Sequence, residues 1–190
     1  MNTPAHVIVN AVALGRKGWK PHWFPITAGA LLPDLPMFGF YLYQKLLLAV
    51  PERAIWAQAY FEPRWQNLFD LFNSLPLIAV AALIAWRRRA AAWLAFFASM
   101  GLHCLFDLPL HNEDAHAHFF PLSRWRFHSP ISYWDPEHHG TLALGAEFAG
   151  VIAGALLLAR RHNPVAWRYL GLVTLTAYMA FGMFAWSVWG

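Results

Sequence analysis

Long apolar stretches with almost no charged residues are the feature that most limits how this chain can fold. Four of them occupy residues of about 68–86, 90–108, 141–159 and 166–189. Each has roughly the 20 apolar residues that a helix needs to cross about 30 Å of hydrocarbon. Charged residues make up 13% of the chain, whereas a soluble domain carries about 25%. The pattern therefore predicts an all-α, polytopic helical membrane protein.

Two further apolar segments are less regular. The first, at about 5–14, is too short to cross the hydrocarbon as a helix. The second, at about 24–50, contains Pro33-Asp34-Leu35-Pro36, and two prolines around a carboxylate should break or kink a helix. We therefore predict four to five transmembrane helices plus a short N-terminal partial helix. Residues 1–190 form a single integral membrane domain in this interpretation, and 109–140 form an extracytoplasmic loop rich in His and Asp.

The positions of Lys and Arg predict the orientation. Loops rich in these residues stay in the cytoplasm, which places the 109–140 loop outside. The net charge of +4 comes mostly from short clusters and not from a basic tail, so no nucleic-acid partner is expected. Residues 1–15 contain no Lys or Arg, unlike a secretory signal, and we expect the N-terminus to be retained. The basic clusters are Arg16, Lys17 and Lys20, then Arg87, Arg88 and Arg89, then Arg160, Arg161 and Arg168.

Histidines and carboxylates are concentrated at the end of the apolar segment at about 90–108 and just after it. Seven of the ten histidines lie between His103 and His139. His103 and Asp107 are four residues apart and share a helix face, so they could bind one metal, or Asp107 could orient the imidazole. Pro109 should end that helix. If a short helix follows, His111, Asp114 and His118 share a face, while His116 points elsewhere.

Counting 1.5 Å per helical residue from the basic clusters gives the depth of the embedded polar side chains. Ionisable groups are costly inside a membrane and usually pair or serve a function. Several of them at one depth favour a shared site, although simpler roles stay open. His6 could be a core histidine, Asp34 a helix cap, and Glu147 a structural partner for a histidine or arginine. All five groups fall in the outer half: His6, Asp34, His103, Asp107 and Glu147.

Arginines alternate with aromatic residues beyond the histidines. Arg124 and Arg126 could clamp a phosphate or carboxylate of a substrate. They could equally neutralise lipid headgroups or pair with Asp135. His138 and His139 could add ligands, or Trp-Asp-Pro at 134–136 could form a turn that starts a helix.

Three short motifs give the chain a resemblance to a known family. They are Thr3-Pro4-Ala5-His6, then Gly29-Ala30-Leu31-Leu32-Pro33-Asp34, then His103 with Asp107. In this order the chain resembles the YdjM-like family of inner-membrane metal-dependent hydrolases, loosely over the first 120 residues. Pro36 stands where that family has a second carboxylate, and Asn73 stands where it has a histidine. The resemblance implies a multi-pass protein of the bacterial inner membrane, and in the orientation predicted from Lys and Arg its site faces the periplasm.

Together these features predict a membrane-bound metal-dependent hydrolase acting on a lipid or lipid-linked ester or phosphoester. Imidazole and carboxylate ligands favour Zn²⁺, with Mn or Fe as alternatives. Two non-enzymatic interpretations stay open: a metal-handling protein that uses its histidine-rich loop, and a scaffold with a structural polar cluster. The expected metal ligands are His6, Asp34, His103, Asp107, His111, Asp114 and His118. Asp107 and Glu147 are the expected catalytic residues, and Arg124 and Arg126 the expected substrate-binding residues.

Overall fold

The computed structural model describes residues 1–15, 19–160 and 163–189, and the regular structure of these residues is entirely helical. Four helical stretches are long and apolar enough to cross a membrane: Pro63–Arg87, Ala91–Leu110, Gly140–Leu158 and Val165–Val188. The predicted class, an all-α polytopic membrane protein, is confirmed.

The apolar segment at 24–50 does not form one continuous helix. The segment at 24–50 divides into two short helices and a π-helical turn, Tyr43–Leu47, instead of adding a spanning helix. In chain order the α-helices are α1 (Thr3–Leu14), α2 (Trp23–Leu31), α3 (Leu35–Leu42), α4 (Glu52–Ala57), α5 (Pro63–Phe72), α6 (Leu75–Arg87), α7 (Ala91–Asp107), α8 (Gly140–Leu158) and α9 (Val165–Trp189).

Local chemistry explains where these helices stop. The break predicted around Pro33 separates α2 from α3, and Pro109 lies in a 3₁₀ turn that ends the α7 segment. Between α5 and α6 the chain also breaks, and the Ser74 hydroxyl accepts a hydrogen bond from the Leu77 amide at the start of α6. Ser74 is thus an N-cap inside the longest spanning stretch.

A buried polar connection fixes α1 and α2 against α7. The Asn10 side-chain amide donates to the Ser99 carbonyl (2.8 Å), and the Ser99 hydroxyl donates to the Ile26 carbonyl (2.6 Å). All three residues are fully buried. Gly29 lets α2 approach closely, since a Cβ there would meet the Phe96 carbonyl of α7. These contacts fix α1 and α2 against the middle of α7.

The spanning helices alternate in direction, so the chain has two distinct ends. The 87–90 turn, the end of α8 and the start of α9 lie at one end, and the 111–139 loop lies at the other. The Trp167 indole donates to the Lys20 carbonyl (2.9 Å), which places Lys20 at the first end. Of the basic clusters, Arg16, Lys17 and Arg161 lie outside the described residues.

The 111–139 loop is folded by turns rather than by a helix at its start. The Ser129 amide donates to the His111 carbonyl (2.9 Å), and the Asn112 side chain donates to the Ser129 carbonyl (2.6 Å). The predicted shared helix face for His111, Asp114 and His118 is therefore wrong, because the chain turns back on itself there. The turn predicted near Asp135 is present, with its carboxylate accepting from the Glu137 amide.

Candidate metal centre

Asp107, at the end of α7, contacts the Nε2 atoms of two buried imidazoles. Its Oδ1 is 2.9 Å from His6 Nε2, and its Oδ2 is 3.0 Å from His103 Nε2. The two rings stack with their centroids 3.6 Å apart and 13° between their planes. One ligand atom from each residue lies within 4.8 Å of the others, so His6, His103 and Asp107 could hold a metal ion. Helices α1 and α7 supply this group.

The tautomer of His103 follows from its surroundings. Its Nδ1 lies 2.8 Å from the Ala30 carbonyl oxygen, which can only accept, so Nδ1 carries the proton. In the neutral ring Nε2 then has a lone pair, and this lone pair faces Asp107 Oδ2 at 3.0 Å and Asp34 Oδ1 at 3.5 Å. Lone pairs repel one another unless a cation or an extra proton lies between them. The donor set therefore fits a bound cation.

Asp34 lies at the edge of this group, in the break after α2. Its carboxylate accepts a hydrogen bond from the Thr3 hydroxyl and makes no capping hydrogen bond to α3. The Asp34 side chain therefore does not cap α3, which was the alternative role. Its side chain is 12% exposed, against 3% for Asp107, which makes Asp34 the more accessible carboxylate.

The first two residues also contact embedded carboxylates. The Met1 nitrogen lies 2.7 Å from Asp107 Oδ1 and 3.4 Å from His111 Nε2. The Asn2 backbone amide and side-chain amide donate to the two oxygens of Glu147 at 3.1 Å and 2.6 Å. Glu147 is thus a structural partner of Asn2, and it is not part of the His6, His103 and Asp107 group.

His111 extends the group into the loop. Its Nε2 lies 3.4 Å from Asp107 Oδ1, and its Nδ1 lies 2.8 Å from Asp114 Oδ2. Burial opposes the charged form of His111, but the carboxylates of Asp114 and Asp107 outweigh this effect and raise its pKa to about 9. His111 therefore carries a proton at neutral pH. Burial would raise the pKa of Asp114, yet the neighbouring His111 lowers it to about 2.

The two following histidines are buried as well. His118 Nδ1 donates to the Asn73 carbonyl (3.1 Å), so His118 lies against the break between α5 and α6 and not in the metal group. His116, for which the sequence predicted no role, lies between His111 and His118 at ring distances of 5.4 and 5.9 Å. Its Nδ1 is 4.0 Å from Asp70 Oδ1 and has no hydrogen-bond partner among the described residues.

The two loop arginines have protein partners. Arg126 donates to Asp70 Oδ2 (2.6 Å) and to the Ala115 carbonyl, so its guanidinium ties the loop to α5. Arg124 donates to the Asn67 side chain (2.8 Å) at the surface. Neither arginine pairs with Asp135, whose Oδ2 lies 2.6 Å from His138 Nδ1. No sequence signal connects Asp70 with Arg126, which are 56 residues apart.

Comparisons with protein-family models, curated proteins and solved structures find no match to this chain.

Proposed function

We propose that this protein is an integral-membrane hydrolase that uses a divalent metal ion. The observation that carries the proposal is the position of His103 Nε2, which lies 3.0 Å and 3.5 Å from two carboxylates beside a second imidazole. His6, His103 and Asp107 would hold the metal, and the Asp34 carboxylate lies beside them, 3.5 Å from His103 Nε2. The resemblance of the three motifs to YdjM-like hydrolases supports the same activity.

Zinc is the first choice of metal. Two histidines and one carboxylate leave a coordination position open, as catalytic zinc sites do. The same trio also suits Fe(II), and Mn²⁺ accepts imidazole and carboxylate, so both are alternatives. When bound, such a metal lowers the pKa of a water molecule and polarises an ester or phosphoester.

The protein's own side chains would position and move protons around the metal. The Ala30 carbonyl holds His103 in the Nδ1-protonated tautomer, so that Nε2 is available as a ligand. Asp34, the more accessible carboxylate, is placed to accept a proton from the attacking water. His111, with its pKa of about 9, is placed to give a proton to the leaving group.

The surroundings favour a lipid or lipid-linked substrate. Asp107 lies sixteen residues after the start of α7, which is about 24 Å along the helix and close to one membrane boundary. An apolar cleft of about 260 Å³ lies between the 71–81 and 96–100 segments, and two of its lining residues, Leu32 and Met100, are close in the chain to Asp34 and His103. Such a cleft would suit an acyl chain of the substrate. The basic turns favour the periplasmic side of a bacterial inner membrane for the site.

Elemental analysis of detergent-purified protein tests the site. Wild-type protein should carry one or two equivalents of a divalent metal, and His103→Ala should lose it. His128→Ala is the matched control, since His128 is an exposed histidine of the loop that contacts the Asn112 carbonyl. Equal metal content in wild type and His103→Ala would exclude the site.

A second variant separates a hydrolase from the other functions. Asp34→Asn should keep the metal and fail to release fatty acid or headgroup from bacterial lipid extract, measured by mass spectrometry. Metal-loaded wild type without any such release would favour metal handling, and protein without metal would favour the scaffold. Metal handling by an open loop is less consistent with His111, His116 and His118, which are 8%, 8% and 4% exposed.

A further inference from the structure

The middle of the polar loop packs against the break between α5 and α6. The Leu75 amide donates to the His118 carbonyl (2.8 Å), and the Ser74 hydroxyl donates to the Phe120 carbonyl. In return, His118 Nδ1 donates to the Asn73 carbonyl (3.1 Å). Residues 118–120 therefore lie at the level of residues 73–75.

That level is inside the membrane and not above it. Residues 73–75 lie within the spanning stretch Pro63–Arg87. Asn73 also accepts from the Cys104 thiol (3.7 Å), and Cys104 lies thirteen residues after Ala91, the first residue of α7. At 1.5 Å per residue this is about 20 Å into a hydrocarbon layer about 30 Å thick. Residues 118–120 thus reach about 10 Å below the boundary near which the loop begins.

The same part of the loop has the composition that this depth requires. Residues 115–123 contain no Asp, Glu, Lys or Arg. Irregular backbone is tolerated at membrane depth where its polar groups have protein partners. Here the Phe120 amide donates to the Ala117 carbonyl (2.8 Å) and the Ser123 amide to the Phe119 carbonyl (3.0 Å).

Large apolar side chains of this segment point away from the protein. Phe119 is 44% exposed, Leu122 is 81% exposed and Trp125 is 57% exposed. Leu71 and Leu77, which flank the break on the spanning stretch, are 44% and 41% exposed. The apolar side chains of the loop thus extend the apolar surface of the spanning stretch. A patch of this kind in contact with water would be costly.

We infer that residues 117–125 form a re-entrant segment whose exposed side chains contact lipid acyl chains. Phe119, Leu122 and Trp125 lie in the hydrocarbon of the leaflet on the loop side. Arg124, whose guanidinium lies 5.7 Å from the Phe120 ring, reaches the headgroups. The inference concerns the partner of this surface and does not depend on hydrolase activity.

Spin-label accessibility in proteoliposomes tests the partner directly. A nitroxide attached at Leu122→Cys reports collisions with oxygen, which concentrates in hydrocarbon, and with a water-soluble nickel chelate. Wild-type protein is the background, because Cys104 is fully buried and should take no label. Leu144→Cys, on the exposed surface of spanning helix α8, is the lipid reference, and Glu137→Cys, exposed in the same loop, is the water reference.

If residues 117–125 form a re-entrant segment, the ratio of oxygen accessibility to nickel accessibility at Leu122→Cys should match the ratio at Leu144→Cys. It should exceed the ratio at Glu137→Cys several-fold. A ratio equal to that of Glu137→Cys would show that the segment lies in water. Low accessibility to both reagents would show that another protein or a second copy covers it. Either of these results overturns the inference. Elution of each variant at the wild-type volume confirms the fold.

Discussion

The chain break at Pro33 lies beside the imidazole of His103. In a continuous helix the Asp34 amide would donate to the Ala30 carbonyl, four residues earlier. After Pro33 the Asp34 amide instead donates to the Leu31 carbonyl (3.2 Å). The Ala30 carbonyl is thereby left to accept from His103 Nδ1. The break in the chain thus supplies both Asp34 itself and the backbone oxygen that turns Nε2 toward it.

Asp114 controls the proton affinity of His111. Asp114→Asn removes one of the two carboxylates that raise its pKa from 6.5 to about 9, so the pKa should fall. A raised pKa means that the charged ring stabilises the fold fully below about pH 6.5, and this contribution disappears as the pH rises through about 9. Metal-free wild-type protein should therefore lose more thermal stability between pH 6.5 and 9.5 than Asp114→Asn does.

The control for this prediction is Asp135→Asn, which removes a carboxylate from the His138 pair elsewhere in the same loop. It should leave the pH dependence of the melting temperature near that of wild type. If Asp114→Asn shows the wild-type pH dependence, Asp114 does not control the protonation of His111.

Spacing along the sequence predicted that His103 and Asp107 meet, but it did not predict the contacts that hold the buried group in place. The spacing of His103 and Asp107 predicted one shared helix face, and the two side chains meet there. The Thr3 contact with Asp34 and the Ala30 contact with His103 join residues 31 and 73 positions apart. Pairings across such separations depend on how whole helices pack, which no local pattern encodes.

Among the elements, the contact of α2 with α7 matters most for the site. Prolines in the sequence predicted where α2 and α7 end, because proline removes a backbone donor and clashes with the preceding turn. The turns of the 111–139 loop could not be predicted in the same way. They depend on hydrogen bonds between residues 111–112 and 129, which are far apart along the chain.

Gly29→Ala tests the α2 and α7 contact. The added Cβ would meet the Phe96 carbonyl and Ser99, so α2 must move away from α7. This movement would break the hydrogen bond between the Ala30 carbonyl and His103 Nδ1. Overpacking of this kind costs about 1–3 kcal/mol. We expect a lower melting temperature in detergent and a lower metal content than in wild type. Gly39→Ala, on α3 with nothing within 4 Å of its Cβ position, is the matched control and should change neither. Unchanged metal content in Gly29→Ala would show that metal binding does not depend on the close contact between α2 and α7.

Across the whole molecule, the embedded polar groups converge at one end and the described residues of the basic clusters lie at the other. His6, Asp34 and Asp107 come from the start of α1, the end of α2 and the end of α7, and these ends meet on the loop side. Lys20 and the 87–89 cluster lie at the opposite end. The sequence predicted this convergence, because the constant rise of a helix gives the depth of each polar residue below the basic clusters. It placed Glu147 at the same depth but could not show that Asn2 occupies its carboxylate.

The membrane orientation can be tested with two cysteine variants at opposite ends of the molecule. Arg88→Cys lies in the basic turn and Glu137→Cys in the loop, and both positions are exposed. Basic turns stay in the cytoplasm, so a membrane-impermeant maleimide added to intact bacterial cells should label Glu137→Cys and spare Arg88→Cys until the cells are lysed. Wild-type protein should stay unlabelled in both conditions, because Cys104 is fully buried. Labelling of Arg88→Cys alone in intact cells would place the metal centre on the cytoplasmic side, where it would meet the lipids of the other leaflet.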